Sequence, residues 1–309
     1  MIFIKGLPVL IFIITYSINV IGQDTLNFTR TEIIYGRKDG MALTMLMLHP
    51  KKQEIGKAII SVVSGNWVSS YTNVERFVNL AKVFINEGYT VFVTMHGSQP
   101  KYAIPDEIAD LKRAVRFIRF NAKAYHIDAD HIGITGSSSG GHLSLMVGLS
   151  DDKIDSSSKD PINKVSARIQ AVAVFYPPSD FLNWGLQNSN LTKAKAALAL
   201  AGVAAAFDFK EFDNTTRTYK VLTDTVKFLQ ITKEISPIYS VSSNDPPVLI
   251  IHGDADKTVP LQQSQTLIQK LNDNKIPNQL IIKKDGGHGW KYQEVEEKNM
   301  VDWFNKYLK

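Results

Sequence analysis

The sequence predicts an α/β fold: a mostly parallel central sheet with helices on both faces. Apolar runs of strand length recur at 58–63, 91–95, 169–175 and 248–251, as expected for strands that are covered on both faces. Between most of these runs lie segments with apolar residues at helical spacing, and such alternation is typical of parallel sheets. The chain has 309 residues, 44% of them hydrophobic, which is enough to build one large core.

Each predicted element is justified by its periodicity and by the residues that bound it. Short runs rich in Val, Ile and Phe predict strands, and apolar residues three or four apart predict helices. Gly88 ends one helix, and Pro105 with two acidic residues opens the next. The predicted elements, in order, are strands at 32–35 and 43–48 joined by a tight turn, a strand at 58–63, a helix at 73–87, a strand at 91–95, a helix from 105, a strand at 131–135, a helix from 143, strands at 169–175 and 248–251, a helix at 261–271, a strand at 279–282 and a helix at 294–307.

One long segment, residues 181–235, interrupts this alternation. It lies between two predicted strands and is too long for a simple crossover. Its alanine-rich stretch at 192–207 predicts a helix, and a second helix is predicted around 219–229. We therefore expect an α/β domain at 23–309 that carries a helical cap insertion at 181–235, over the carboxyl edge of the sheet.

Residues 1–22 have the pattern of a secretory signal peptide. Lys5 precedes an apolar run at 7–14 that is too short to cross a bilayer, and small residues occupy positions −3 and −1 of a cleavage site before Gln23. The pattern predicts cleavage after Gly22 and a secreted or periplasmic protein without a stable membrane anchor. An uncleaved anchor helix stays open as the alternative, because residues 18–21 extend the apolar stretch.

The composition disfavours several classes of function. The net charge of +5 is spread along the chain without a basic block, so nucleic-acid binding is not expected. The chain has no cysteine and therefore neither a disulfide nor a thiolate nucleophile. No histidine pair has the spacing of a metal site, so no metal is expected. The sequence does not indicate the oligomeric state.

The stretch GITGSSSGGH, residues 133–142, contains the pattern G-x-S-x-G centred on Ser138. This pattern is typical of a sharp turn from a strand into a helix, where only small neighbours let the chain pass and the central serine is held exposed. An apolar strand precedes the run and an apolar helix follows it, as that turn requires. Ser138 is therefore the candidate nucleophile.

A nucleophilic serine needs a base, and the base needs an orienting acid. In the chain order serine, acid, histidine, the base is His288, the one histidine beyond residue 252, in the motif DGGHGW. The acid is expected after the strand at 248–251, where Asp254 and Asp256 are both available. Asp256 is favoured because it lies further into the loop, with Asp254 as a turn residue, and His252 is interpreted as a structural contact.

The reaction that such a serine performs also needs N–H donors for an oxyanion. One is expected to be the amide of Ser139, which follows the nucleophile, and the other should come from the loop after the first buried parallel strand. SVVSGNWVSS occupies that place, so the amides of Gly65 and Asn66 are the candidates.

Five motifs in this order resemble the α/β-hydrolase superfamily, in particular its secreted esterase and lipase branch with feruloyl- and acetylxylan-esterase-like proteins. They are VVSGNW, HGSQPKY with IPDEIADLKRAVRFIR, IDADHIGITGSSSGGHLSL, SPIYSVSSNDPPVLIIHGDADKTVPLQQS and GGHGW. The resemblance implies Ser138 as nucleophile, Asp256 as acid and His288 as base. The sequence departs from the family at two places: the usual H-G-G-G-W is V-S-G-N-W at 63–67, and the usual alanine after the nucleophile is Ser139.

The resemblance also implies a serine carboxylic-ester hydrolase that needs no cofactor and acts on small esters or acylated carbohydrates. Three alternatives remain open on the same fold. They are a serine exopeptidase, a hydrolase of small amides, and a binding protein without catalytic activity. The sequence identifies neither the acyl group nor the alcohol.

Overall fold

A central sheet of eight strands organises the protein, whose computed structural model describes residues 26–291 and 293–309. The described residues contain ten strands, of which all but β7 and β8 belong to this sheet. They are β1 (Phe28–Lys38), β2 (Met41–Pro50), β3 (Ala58–Val62), β4 (Thr90–Thr94), β5 (Ile132–Ser137), β6 (Ala171–Phe175), β7 (Lys210–Asp213), β8 (Thr218–Val221), β9 (Val248–Gly253) and β10 (Asn278–Lys283). The sheet has the order β1-β2-β4-β3-β5-β6-β9-β10, and β7 pairs with β8 in a separate hairpin.

Six of the eight strands are parallel. Neighbouring strands pair in parallel along the part of the sheet with the order β4-β3-β5-β6-β9-β10. At the other side of the sheet, β1 pairs antiparallel with β2, and β2 pairs antiparallel with β4. The predicted fold class, a mostly parallel sheet with helices on both faces, is therefore confirmed. Because parallel strands share one direction, the loops after β3, β5, β9 and β10 all emerge at the same edge.

The α-helices in the described ranges cover both faces of the sheet. They are α1 (Val74–Asn86), α2 (Ile104–Phe120), α3 (Ser139–Leu149), α4 (Lys195–Leu200), α5 (Thr225–Glu234), α6 (Gln262–Asp273) and α7 (Glu294–Tyr307). Side chains of α2, α3 and α6 form one core with the face of β3 that carries Ile60. Side chains of α1 and α7 form the other core with the opposite face, which carries Ile59. Alternate residues of the buried strands thus serve both cores.

The helix after the serine run begins earlier than the predicted residue 143. It starts at Ser139, so its first turn is built from the serine and glycine residues themselves. The apolar periodicity that predicts the helix is absent from this turn, and for that reason the sequence places its start too late. Ser138 is consequently the residue immediately before the helix.

The 181–235 segment contains less helix than predicted. Where 192–207 was expected to be one helix, α4 spans only Lys195–Leu200 and is followed by a turn at Gly202, whose φ is +69°. Where helix was expected from residue 219, β7 and β8 form a hairpin, and α5 begins only after Asp224. The carboxylate of Asp224 caps α5 by accepting from the amides of Val226 and Lys227, at 2.9 and 3.1 Å.

The predicted signal peptide, residues 1–22, lies outside the described residues and stays a prediction. In the described ranges, no helix combines the length and the apolar character needed to cross a membrane.

Candidate active site

The predicted site residues follow four parallel strands and meet at the carboxyl edge of the sheet. Ser138 follows β5, Asp256 lies three residues after β9, and His288 lies five residues after β10. The loop with Gly65 and Asn66 follows β3, which pairs with β5. The topology therefore brings together residues that are up to 223 positions apart in the chain (65 to 288).

Ser138 has the strained backbone that its motif predicts. Its φ of 54° and ψ of −123° lie outside the regions that L-residues ordinarily adopt. Its amide donates to the carbonyl of Phe175 at 3.0 Å, which ties the turn to β6. A Cβ at Gly136 would lie 2.4 Å from the carbonyl oxygen of Gly140, so only glycine allows the strand and the helix to approach this closely. The turn thus presents the Ser138 hydroxyl before the first turn of α3.

Ser138, His288 and Asp256 form a continuous hydrogen-bonded relay. Ser138 Oγ lies 2.8 Å from His288 Nε2, and His288 Nδ1 lies 2.8 Å from Asp256 Oδ2. An ionised carboxylate only accepts hydrogen bonds, so Nδ1 carries the proton and Nε2 presents a lone pair to the Ser138 hydroxyl. This is the arrangement in which a histidine can remove a proton from serine.

The Asp256 carboxylate is buried and multiply hydrogen-bonded. Burial by itself would raise its pKa, but hydrogen bonds from His252, from His288 and from two backbone amides hold the pKa well below its usual range. The amides belong to Thr258 and Val259, and they donate to Oδ1 at 2.8 and 2.9 Å. Asp256 therefore stays ionised and keeps its negative charge next to the His288 ring.

Asp254, the other acid considered, faces elsewhere. Its Oδ1 accepts from the amide of Asp285 at 2.6 Å, and its side chain joins two loops at the surface. The geometry thus places Asp256, and not Asp254, beside His288.

The loop after β3 presents one of its two predicted donors. The amide of Gly65 donates to the carbonyl of Val68 at 3.0 Å, and the amide of Val68 donates back to Gly65 at 2.9 Å. The N–H of Gly65, a predicted oxyanion donor, is therefore used within the turn at 65–68, and its role as a donor stays a prediction. The amides of Asn66 and Ser139 have no acceptor among the described residues, and they stay the two candidate donors.

The backbone of Asn66 is fixed from both sides. Asn66 has a φ of 54°, and its carbonyl accepts from Gln99 Nε2 at 2.6 Å. The same Nε2 donates to the carbonyl of Gly202 at 3.0 Å, and Asn66 Nδ2 donates to the carbonyl of Ala201 at 3.3 Å. The oxyanion loop, residues 64–68, therefore contacts the end of α4 in the 181–235 segment.

Two further residues lie near the relay, and the sequence did not indicate the first of them. The ring of Tyr176, which follows β6 with a φ of 35°, lies 4.6 Å from the His288 ring, centre to centre. His252 is buried at the end of β9, with Nε2 3.3 Å from Asp256 Oδ2 and Nδ1 2.6 Å from Ser264 Oγ. The position of Tyr176 directly after a parallel strand was the signal that could have located it. His252 makes a structural contact, as interpreted from the sequence.

In the described part of the chain, no group of three or more histidine or acidic side chains is arranged to hold a metal ion.

Comparisons with known proteins agree with this fold. Esterase LipC of Mycobacterium tuberculosis is 24% identical over 242 residues, which cover 78% of this chain and 55% of LipC. Esterase LipQ of the same organism is 26% identical over 221 residues, which cover 70% of this chain and 45% of LipQ. The chain thus spans about half the length of these curated relatives.

A solved structure described as a truncated form of a carbohydrate esterase from gut microbiota superposes with a TM-score of 0.70. It is 26% identical in sequence, and the match covers 91% of this chain and 96% of that one. The model of the family described as BD-FAE matches residues 45–271, a range that contains Ser138 and Asp256 and ends before His288. The chain therefore belongs to the BD-FAE family of α/β-hydrolases.

Proposed function

We propose that the protein is a serine carboxylic-ester hydrolase that works through an acyl-enzyme intermediate. The observation that carries the proposal is the relay in which His288 lies 2.8 Å from Ser138 Oγ on one side and 2.8 Å from Asp256 on the other. The similarity to proteins named esterases supports the same class of reaction.

In the first step, His288 Nε2 takes the proton of Ser138 as Oγ attacks the carbonyl carbon of the ester. The ring becomes an imidazolium, and the ionised carboxylate of Asp256 stabilises its positive charge. Because the hydroxyl and the imidazole are already within hydrogen-bond distance, little rearrangement precedes the proton transfer.

The carbonyl oxygen acquires negative charge when the tetrahedral intermediate forms. The amides of Asn66 and Ser139 are the donors for it, and the amino-terminal end of α3 contributes its positive partial charge. The intermediate collapses when the C–O bond of the ester breaks and His288 gives its proton to the departing alkoxide. An ester then joins Ser138 to the acyl group.

Water completes the cycle by the same route. His288 removes a proton from water, the hydroxide attacks the acyl-serine, and the carboxylic acid leaves as Ser138 recovers its proton from His288. The chain's own side chains and amides supply each proton transfer and each contact in this scheme.

We propose acylated carbohydrates as the substrate class. The support is the similarity, at 26% identity and nearly full coverage, to a solved structure described as a carbohydrate esterase. Simple small esters are the broader class to which the same chemistry applies.

A substrate panel on wild type and Ser138→Ala tests both levels of the proposal. It contains acetyl, butyryl and feruloyl esters of sugars, nitrophenyl esters, an aminoacyl-nitroanilide and a small formamide. We expect ester turnover with a preference for sugar esters, and a loss of about 10⁴- to 10⁶-fold in Ser138→Ala. Ser137→Ala is the matched control and should lose far less.

The other outcomes are equally informative. Preference for the nitroanilide or the formamide would replace the ester hydrolase with an exopeptidase or an amide hydrolase. Near-normal turnover in Ser138→Ala would refute the nucleophile. A folded protein that neither turns over any substrate nor reacts with a fluorophosphonate probe would be a binding protein instead.

A further inference from the structure

Two buried hydroxyls join the oxyanion loop to the residue after the proposed nucleophile. Ser64 Oγ and Ser139 Oγ lie 3.0 Å apart, and the exposed fraction of these residues is 5% and 1%. Among the described residues, each hydroxyl has the other as its hydrogen-bond partner. We refer to Ser64 and Ser139 as the serine pair.

The serine pair lies beside both candidate oxyanion donors. Ser139 carries one donor on its own backbone, and Ser64 is two residues before Asn66, which carries the other. Asn66 lies inside the turn at 65–68, which directly follows Ser64 and is closed by two reciprocal hydrogen bonds between Gly65 and Val68. Because that turn is closed on itself, a shift of Ser64 moves the Asn66 amide with it.

The other anchors of the loop act on Asn66 and on the residue after it. Trp67 Nε1 donates to His142 Nδ1 at 3.1 Å, and Gln99 holds the Asn66 carbonyl. At the β3 end of the loop, the serine pair makes the side-chain hydrogen bond that reaches α3. The two serines also occupy positions where the sequence departs from the family pattern, Ser64 within V-S-G-N-W and Ser139 in place of alanine.

We propose that the serine pair is a positioning element that sets the distance between the Asn66 and Ser139 amides. The inference rests on the proposed function, because it concerns the oxyanion that forms in that reaction. The two hydroxyls of the pair bind each other and are not assigned a contact with substrate or oxyanion. The pair acts by holding the two donors at the separation that binds the oxyanion in the transition state.

The test is a double-mutant cycle with Ser64→Ala, Ser139→Ala and the double variant, measured on a nitrophenyl ester. Both substitutions keep the backbone amides. Each single variant should lower kcat roughly tenfold while KM changes little, because the donors act mainly in the transition state. The kcat of the double variant should be no lower than that of the less active single variant, because either substitution alone breaks the pair.

Ser144→Ala is the matched control, because Ser144 is also a buried serine of α3 but donates to the carbonyl of Gly140 within the helix, at 2.7 Å. Circular dichroism and urea unfolding show that each variant is folded under the assay conditions. Single variants as active as Ser144→Ala, or a double variant whose losses multiply, would overturn the inference. Neither result bears on the proposed function, which the Ser138→Ala variant tests separately.

Discussion

Trp67 donates its indole N–H to Nδ1 of His142 across 3.1 Å, and this bond determines which nitrogen of His142 carries the proton. Burial lowers the pKa of His142 to about 4, so the ring is neutral at neutral pH. The proton is therefore on Nε2, which donates to the carbonyl of Ile235 at 2.7 Å. One neutral imidazole thus links the oxyanion loop, α3 and the end of the 181–235 segment.

Replacing this imidazole should destabilise the protein. His142→Leu leaves the indole N–H of Trp67 and the carbonyl of Ile235 without partners in the core, so we expect the free energy of unfolding to fall by about 1–3 kcal/mol. Urea unfolding followed by tryptophan fluorescence measures the change. His126→Asn, at an exposed histidine with a φ of 54° that asparagine tolerates, should leave the unfolding free energy unchanged. Equal stability of the two variants would contradict the role of His142.

The two acids after β9 should differ sharply in their effect on catalysis. Asp256→Asn removes the charge that faces His288 Nδ1 and should lower kcat by roughly 10³- to 10⁴-fold. Asp254→Asn changes only a surface turn and should cost less than about tenfold. Steady-state kinetics on a nitrophenyl ester compares them at one pH. A larger loss in Asp254→Asn would reverse the assignment of the acid.

Gly136→Ala should damage the turn that carries Ser138. The new Cβ would lie 2.4 Å from the Gly140 carbonyl oxygen, so the strand and the helix have to separate. We expect the free energy of unfolding to fall by about 1–3 kcal/mol and kcat to fall with it. Gly65→Ala is the control for stability, because a Cβ there meets nothing within 4 Å. Unchanged stability and turnover in Gly136→Ala would show that the turn tolerates the separation.

A second buried polar group lies at the start of α2. The carboxyl of Glu107 is fully buried, and its Oε2 lies 3.7 Å from His96 Nδ1. Burial, together with the nearby carboxylates of Asp110 and Asp106, raises the pKa of Glu107 to about 10. The folded protein therefore holds this carboxyl protonated at neutral pH.

Glu107 should make the protein less stable as the pH rises. The unfolded chain releases this proton above its ordinary pKa of 4.5, whereas the folded protein retains it up to about 10, so the folded state binds more protons in that window. Glu107→Gln removes the titration. The Tm of this variant minus the Tm of wild type should therefore increase from about pH 5 to about pH 9. Thermal melts across this range measure it, with Glu294→Gln as the exposed control. A difference in Tm that does not vary with pH would contradict the raised pKa.

The fold was predictable because several of its central strands are buried runs of mostly apolar residues. Runs such as 58–63 are buried on both faces in the structure, and few other folds need such strands in alternation with helices. The alanine-rich stretch at 192–207 misled the prediction, because high helix propensity does not indicate where a chain turns to meet its neighbours. There Gly202 ends α4, and its carbonyl accepts from Gln99.

The candidate site was predictable in its residue types and less so in its hydrogen bonds. Chain order and loop position were enough to select Ser138, Asp256 and His288, which the structure brings within hydrogen-bond distance of one another. The hydrogen bond of the Gly65 amide to Val68 was not predictable from the sequence, because it depends on how the turn at 65–68 closes. The contact between Ser64 and Ser139 joins residues 75 positions apart and becomes visible only in three dimensions.

The hydrogen bonds from Gln99 and Asn66 to the backbone of the 181–235 segment restrict how this protein can be redesigned. Their acceptors are main-chain carbonyls, so point substitutions on α4, for example at the exposed Leu200, leave these bonds in place. A transplanted segment whose backbone follows a different course would displace both acceptors and release the loop that holds the Asn66 amide. The segment is therefore better altered by changing its side chains than by exchanging it as a module.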